Sequence, residues 1–432
     1  LTADVRTPVE GLPPGPRLPK VAQTALFLRS RARVSPRWRR RYGDAFTVRL
    51  AGGRTVVTIS RPEDIRAVFA GAPEVYHAGE GNAILAPVMG QESLLILDED
   101  AHLAARKRLM PAFNGAALRG YADMMAELAE AEVSRWPLDR PFRTHASMNA
   151  VTLEIILRVV FGMAEGERLA ALRPLINKVT DIGPIDVLGW SFPKLKHVWP
   201  WKRNVENLKA ADALLYEEIA ERRGADLTDR NDVLSRLLKA DPDARAVELR
   251  DHMMTLLLAG HETTATALAW SLHELSRNPD VLRKAQAAAD AEDHEYLQAV
   301  TKEAMRSRPV IYGVGRRITE PQVIAGHRIP AGTVISPCIG LVQDDPEHHP
   351  DPRAFRPERF IGASMESGTW IPFGGGVRRC IGAGFSLQEA GIILRAILLR
   401  YDLEPVGAPE PQQARNITQV PRRGARVIAR RR

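Results

Sequence analysis

The run Phe373-Gly374-Gly375-Gly376-Val377-Arg378-Arg379-Cys380-Ile381-Gly382 places one of only two cysteines in this 432-residue chain on a glycine-rich loop. Beyond it, Phe385, Leu387, Ile392, Ile393, Ala396 and Ile397 recur at helical spacing, so the sulfur is predicted at a helix entrance. Unpaired backbone N–H groups and the positive end of the helix dipole favour a thiolate there, and Arg378 and Arg379 add positive charge. Three successive glycines let the backbone pass close to a flat or bulky object. Taken alone, an idle buried thiol beside a flexible loop fits the same residues.

A second set, Ala259-Gly260-His261-Glu262-Thr263-Thr264, falls within a long apolar helical run over 247–277. Polar side chains and a glycine are costly inside a buried helix unless a site uses them. Gly260 is predicted to open space against a ligand, Thr263 to offer a hydroxyl that perturbs the helix ladder, and Glu262 to carry a proton. A His-Glu-x-x-His zinc motif is excluded because Ala265 stands where the second histidine belongs. His261 then reads as a packed or channel-facing histidine. Glu303 and Arg306 lie three apart on one helical face, which alone describes a surface pair. Phe355-Arg356-Pro357-Glu358-Arg359-Phe360 supplies a second arginine that would make it a buried network. His102, Arg106, Arg316 and Arg378 are donors able to hold two carboxylates on a flat cofactor. Neither Gly313-Val314-Gly315 nor Gly382-Ala383-Gly384 completes a dinucleotide fingerprint, and no phosphate-loop lysine motif occurs.

The elements positioning these groups are mostly helical. Residues 101–113, 118–136, 148–161, 168–180, 204–223, 247–277 and 285–306 show helical apolar spacing. Residues 46–50 and 55–59 alternate around Gly52-Gly53 as a hairpin, and 323–339 are strand-like, able to return to that early sheet. Residues 78–93 read as a mobile loop. A proline-rich stretch carrying Trp190, Phe192, Trp199 and Trp201 suggests a lid or a membrane-surface contact, with plain packing an equal reading.

Two cysteines in so long a chain give no disulfide framework and fit a reducing compartment, the cytoplasm by default. No apolar run is long enough to span a bilayer. A formal charge of +8, with interspersed acids and no nucleic-acid motif, fits a basic face for an acidic protein better than a nucleic-acid surface.

Together these residues resemble the cytochrome P450 family of haem-thiolate monooxygenases, of a soluble bacterial-like type. Phe373, Gly376, Arg378, Cys380 and Gly382 match its Phe-x-x-Gly-x-Arg-x-Cys-x-Gly signature. The segment 259–264 is similar to its oxygen-activating helix, Glu303 and Arg306 to its structural pair, and Arg359 to the arginine completing that triad. The likeness covers essentially the whole chain. Ser307-Arg308-Pro309-Val310 replaces the commoner Leu-Arg-Pro-Pro, and the connection over 279–303 is short.

The resemblance implies one domain over 1–432, mainly α with a minor β region near 46–60 and 310–340, an N-terminal segment over 1–45, and a long central helix over a buried haem. It implies heme b (iron protoporphyrin IX) with Cys380 as iron ligand and Phe373 beside it. His102, Arg106, Arg316 and Arg378 would hold the propionates. Gly260 would leave room for O2, while Glu262 and Thr263 would deliver protons. The reaction implied is hydroxylation of a small lipophilic substrate. Electrons from NAD(P)H would come only indirectly, through a ferredoxin or flavodoxin with its reductase, docking near Lys107, Arg108 and Arg379. Pocket walls are expected at 81–91, the aromatic lid, 254–258, 310–314 and 417–418. A peroxide-driven peroxygenase and a non-catalytic haem or ligand-binding protein are the rival readings. A monomer is expected, with no transmembrane span and with peripheral membrane contact left open.

Overall fold

The computed structural model describes residues 9–162, 166–180, 199, 201–362, 365–415 and 417–432. Amphipathic stretches form the helices, and we label those of eight residues or more. They are α1 (Lys20–Tyr42), α2 (Pro62–Ala70), α3 (Glu99–Leu109), α4 (Gly115–Val133), α5 (Thr144–Phe161), α6 (Glu167–Thr180), α7 (Trp201–Arg223), α8 (Val233–Ala240), α9 (Ala246–Arg277), α10 (Pro279–Asp290), α11 (His294–Ser307) and α12 (Ala383–Leu398). The strands are β1 (Val9–Glu10), β2 (Ala45–Arg49), β3 (Thr55–Ile59), β4 (Tyr76–His77), β5 (Pro141–Arg143), β6 (Arg316–Ile318), β7 (Gln322–Ile324), β8 (His327–Ile329), β9 (Val334–Pro337), β10 (Tyr401–Pro405), β11 (Gln412–Arg415), β12 (Thr418–Pro421) and β13 (Arg426–Arg431).

The central helix α9 is buried along nearly all its length, as its all-round apolar character requires. It packs most extensively on α5, and α4, α11 and α12 complete the helical core around it. Local chemistry sets the boundaries. Asn114, Asp232 and Asp293 cap α4, α8 and α11 by accepting backbone N–H groups, and left-handed Gly162 closes α5.

The β2–β3 hairpin forms in the expected place, and β9 pairs parallel to β3, bringing the residues after α11 back to the early sheet. That sheet runs β2-β3-β9-β6-β4. The structure departs from expectation in three ways. The predicted helix over 285–306 is two helices, because Glu292 turns to a φ of 58° and Asp293 starts a new cap. Residues 78–93 contain short helical turns at Ala83–Leu85 and Ala86–Met89. A second β region, with strand order β10-β13-β5 and a separate β11–β12 hairpin, occupies much of 401–431. Of the aromatic lid, Trp190 and Phe192 lie outside the described residues, Trp199 is exposed and Trp201 opens α7.

Candidate active site

Cys380 sits on a loop shaped by its glycines. Gly374 and Gly376 take φ values of 68° and 64°, and a side chain on Gly375 or Gly376 would strike Phe69. The Cys380 N–H donates to the Phe373 carbonyl at 2.9 Å, closing the loop. Phe373 packs against Trp370 and the cluster of Ala267, Met305 and Val310. The predicted lowering of the thiol is not what the structure gives. Burial pushes Cys380 up, outweighing the Gly382 N–H, Arg106 and Arg379, which pull the other way. The side chain is nevertheless accessible. Burial with accessibility is the combination expected of a group lining an internal space, in contrast to the sealed Cys338.

Across from the loop, Thr264 Oγ1 meets Ser386 Oγ at 3.1 Å, tying α9 to the first turn of α12. Between Leu249 and Ser276, only Ala259, Gly260 and Thr263 are not buried, and they form one open stripe. At Gly260 a Cβ would lie 2.9 Å from Ile156 Cγ1, so its missing side chain also admits α5. Thr263 donates its hydroxyl to the Ala259 carbonyl at 2.7 Å while the helix stays continuous. His261 is packed, with Nδ1 2.7 Å from the Leu257 carbonyl, and burial lowers it to about 4. Glu262 is buried beside the β11–β12 hairpin, where Thr418 Oγ1 lies 3.2 Å and Arg415 Nε 3.9 Å from Oε1.

His102, Arg106, Arg316 and Arg378 lie close enough together that the three arginines act on the histidine. Burial, then Arg378 and Arg106, depress His102 to about 4. Burial and the neighbouring cations bring Arg316 and Arg378 to about 10, and Asp98 is the carboxylate that opposes this. Arg378 turns to Asp98 and to the Leu94 and Leu97 carbonyls rather than to the sulfur. Arg108, expected on a free basic face, is paired with Glu248 and Asp241, whereas Lys107 and Arg379 are exposed.

Glu303 and Arg306 are buried as expected, and Arg359 closes the triad from a half-buried position. Arg306 spans both Glu303 oxygens at 2.7 and 2.9 Å, and Arg359 Nε reaches Oε1 at 3.3 Å. Arg306 also donates to the Gln343 carbonyl, and the Gln343 side chain accepts from Ile371 N–H. The network thereby braces the irregular segment at Ile371 that leads into the cysteine loop.

Asp98, Arg415 and Glu389 escaped sequence reasoning, and Thr418, expected only as pocket wall, also reaches Glu262. Glu389 is wholly buried with no well-formed hydrogen bond at either oxygen, and burial drives its carboxyl well above the usual range despite the Thr264 hydroxyl. A signal existed: Glu389 interrupts the apolar stripe of Phe385, Ile392 and Ile393. The donor set fits haem on three grounds. An accessible sulfur lies deep in the chain, an open stripe crosses the buried helix, and an excess of cations suits two carboxylates.

A family model described as Cytochrome P450 matches residues 13–427. Cytochrome P450 135A1 of Mycobacterium tuberculosis, a provisional name, is 46% identical over 98% of this chain and 96% of its own length. Cytochrome P450 135B1 of Mycobacterium bovis, named as provisionally, is 44% identical over 97% and 92%. Among solved structures, a retinoic acid-bound cyanobacterial CYP120A1 superposes with a TM-score of 0.85 at 23% identity, covering 98% of this chain and all of that one. The haem domain of cytochrome P450DA gives 0.82 at 24%, covering 99% of each. With the family model matched over almost the whole chain and relatives 44–46% identical along it, the chain belongs to the cytochrome P450 family of haem-thiolate monooxygenases.

Proposed function

We propose that this chain hydroxylates a small lipophilic substrate. One atom of O2 enters a C–H bond and the other leaves as water, with two electrons and two protons supplied. When bound, the haem provides the O2-binding and O2-activating chemistry. Cys380 would hold its iron as the thiolate, helped by the Gly382 N–H, Arg106 and Arg379. His102, Arg106, Arg316 and Arg378 would hold its propionates, with Phe373 packed beside the loop. The open stripe leaves room for O2 at Ala259 and Gly260, Thr263 presents a hydroxyl there, and Glu262 carries protons in from the hairpin side.

The pairing of a buried acid with a hydroxyl at the open stripe carries this reading, since direct peroxide use needs no such relay. Electrons would come from NAD(P)H indirectly, through a ferredoxin or flavodoxin with its reductase, docking near exposed Lys107 and Arg379. No described helix is long and apolar enough to cross a membrane, and a monomer working in the cytoplasm is the simplest setting. The apolar 254–258 and 310–314 segments favour a lipophilic substrate, a class that also includes the retinoic acid held by one structural neighbour.

Turnover with a reconstituted electron chain should exceed turnover with peroxide alone, and Glu262→Gln should divert electrons from product to peroxide or water. Efficient peroxide-only turnover unaffected by Glu262→Gln would favour the peroxygenase. Reduction without any oxidised product across a broad substrate panel would favour a non-catalytic binding protein. Cys380→Ser should abolish the carbon-monoxide difference band of thiolate-ligated haem.

A further inference from the structure

His77 ends β4 with its side chain mostly covered, and three carboxylates face its ring. Glu80 Oε1 lies 2.8 Å from Nδ1, Glu99 Oε1 lies 2.8 Å from Nε2 but off line for a hydrogen bond, and Asp98 Oδ2 stands 3.9 Å from Nδ1. On β6, Arg317 is the ladder partner of His77 and pairs with Glu80. Only an imidazolium carries a proton on both nitrogens, whereas a neutral ring would turn a lone pair toward one of these carboxylates. Burial opposes the charge, yet Glu80, Asp98 and Glu99 outweigh it and raise His77 above its ordinary value. Glu99 meets the ring from a φ of 50°, a conformation that costs a non-glycine residue energy and persists where its surroundings fix it.

The same segment encloses Asp98. Oδ1 accepts the Gly79 N–H at 2.8 Å and Oδ2 the Glu80 N–H at 2.9 Å. A side chain on Gly79 would strike the Ile96 carbonyl and Asp98 itself, so this approach needs glycine. Asp98 Oδ1 also takes the Arg378 guanidinium, and among the described residues no other carboxylate is paired with that arginine. Asp98 therefore stands between the His77 ring and the cations of the site.

We propose that His77 is a positioning residue for the haem: clamped between Glu80 and Glu99, it holds residues 77–80 around Asp98, and Asp98 in turn sets how much of the Arg378 charge is left for a propionate. The inference goes beyond the reaction under Proposed function and rests on it only in taking Arg378 as a propionate holder. A proton on His77 adds positive charge beside these cations and favours ferrous haem, which carries one positive charge fewer than ferric. Losing that proton at higher pH leaves Glu80 and Glu99 without their partner, loosens the turn around Asp98 and favours the ferric state.

The test is the reduction potential of the haem-loaded protein from about pH 6 to 9, on either side of an ordinary or raised histidine. Across that window the wild type should lose about 3- to 10-fold in its reduction equilibrium constant, the size of one charge acting over a few residues in a medium of intermediate dielectric. His77→Lys keeps a cation and should hold the potential high throughout, while His77→Gln should hold it low, the pH step flattened in both. Asp98→Asn should shrink the difference between wild type and His77→Gln, as for residues acting in series. A step that survives undiminished in His77→Gln overturns the proposal. So do Lys and Gln variants of equal potential, which would leave His77 a packing residue. Should the His77 variants lose haem, Glu99→Gln removes one side of the clamp and should move the step to lower pH, and an unmoved step overturns the proposal equally. The carbon-monoxide difference band checks that each variant keeps its haem-thiolate site. Asp98→Asn by itself then separates the two readings: a potential it leaves unmoved is failure of the propionate assignment, and one it moves beside unresponsive His77 variants is failure of this proposal alone.

Discussion

Arg306 grips Glu303 through both carboxylate oxygens, and neither side chain has any solvent access. Removing one partner strands a buried charge, which costs about 3–5 kcal/mol. Glu303→Gln should therefore lower unfolding free energy by that order in denaturant titrations. Haem retention should fall with it, because Arg306, Gln343 and Ile371 link the pair to the cysteine loop. Arg359→Ala, at the less buried corner, should cost roughly half as much on the same scale. Equal losses would contradict the arrangement.

Gly260 fits against Ile156, with a Cβ position 2.9 Å from Cγ1 and 3.0 Å from Cδ1. Gly260→Ala gains up to about 1 kcal/mol of helix propensity but incurs overpacking of about 1–3 kcal/mol. A net loss of thermal stability is expected. Combining it with Ile156→Ala, which removes the obstructing atoms, should leave the pair more stable than the sum of the two single losses. Strict additivity would show that the contact is irrelevant.

Thr418 has one hydroxyl proton and two acceptors, Glu262 Oε1 at 3.2 Å and the Arg415 carbonyl at 2.8 Å. Thr418→Val keeps the shape and removes the donor. If the hairpin orients the proton-carrying acid, product formed per electron pair should fall roughly 3- to 10-fold, of the order of a weakened proton transfer, with ligand affinity little changed. Unchanged coupling would disconnect the hairpin from proton delivery.

Histidines on or against the central helix give an acid limit. Burial is the leading cause holding His145, His252 and His261 near about 4 and His273 near about 3, against an ordinary 6.5. A folded-state value depressed below the unfolded one contributes stability above pH 6.5 and loses it as pH falls toward the folded value. Unfolding free energy should hold between pH 7 and 8, then drop toward pH 4 by up to about 1.4 kcal/mol per pH unit for each such histidine. His252, whose ring nitrogens are both buried without a hydrogen bond among the described residues, with Glu248 3.7 Å from Nε2, offers the check: His252→Leu should flatten the slope by about one proton.

Features carried by short local patterns were legible in the sequence. The cysteine loop, the long apolar helix and the Glu303, Arg306 and Arg359 set all depend on spacing within one or two segments. What escaped depends on partners distant in sequence. Nothing near Arg378 announces that Asp98 takes its guanidinium, and nothing near Arg108 announces Glu248. Nothing near Gly260 announces Ile156, its neighbour in space, which lies about a hundred positions away. The β10–β13 pairing was readable in principle, since Tyr401, Leu403, Val427 and Ala429 alternate inward.

Strand β13 also bears on timing. It lies between β10 and β5, and the Thr144 hydroxyl reaches the Ala425 carbonyl across 281 positions of chain. The groups gathered around Cys380 likewise span the sequence from Asp98 onward. A chain emerging from the ribosome can wind α4, α5 and α9 early, since their backbone hydrogen bonds are local, but cannot finish the haem pocket until the Cys380 loop and the strands after it have been made. Cofactor capture then belongs among the last steps of maturation, and a slowed or truncated C-terminal strand would show up as haem-poor protein before it showed up as lost helix.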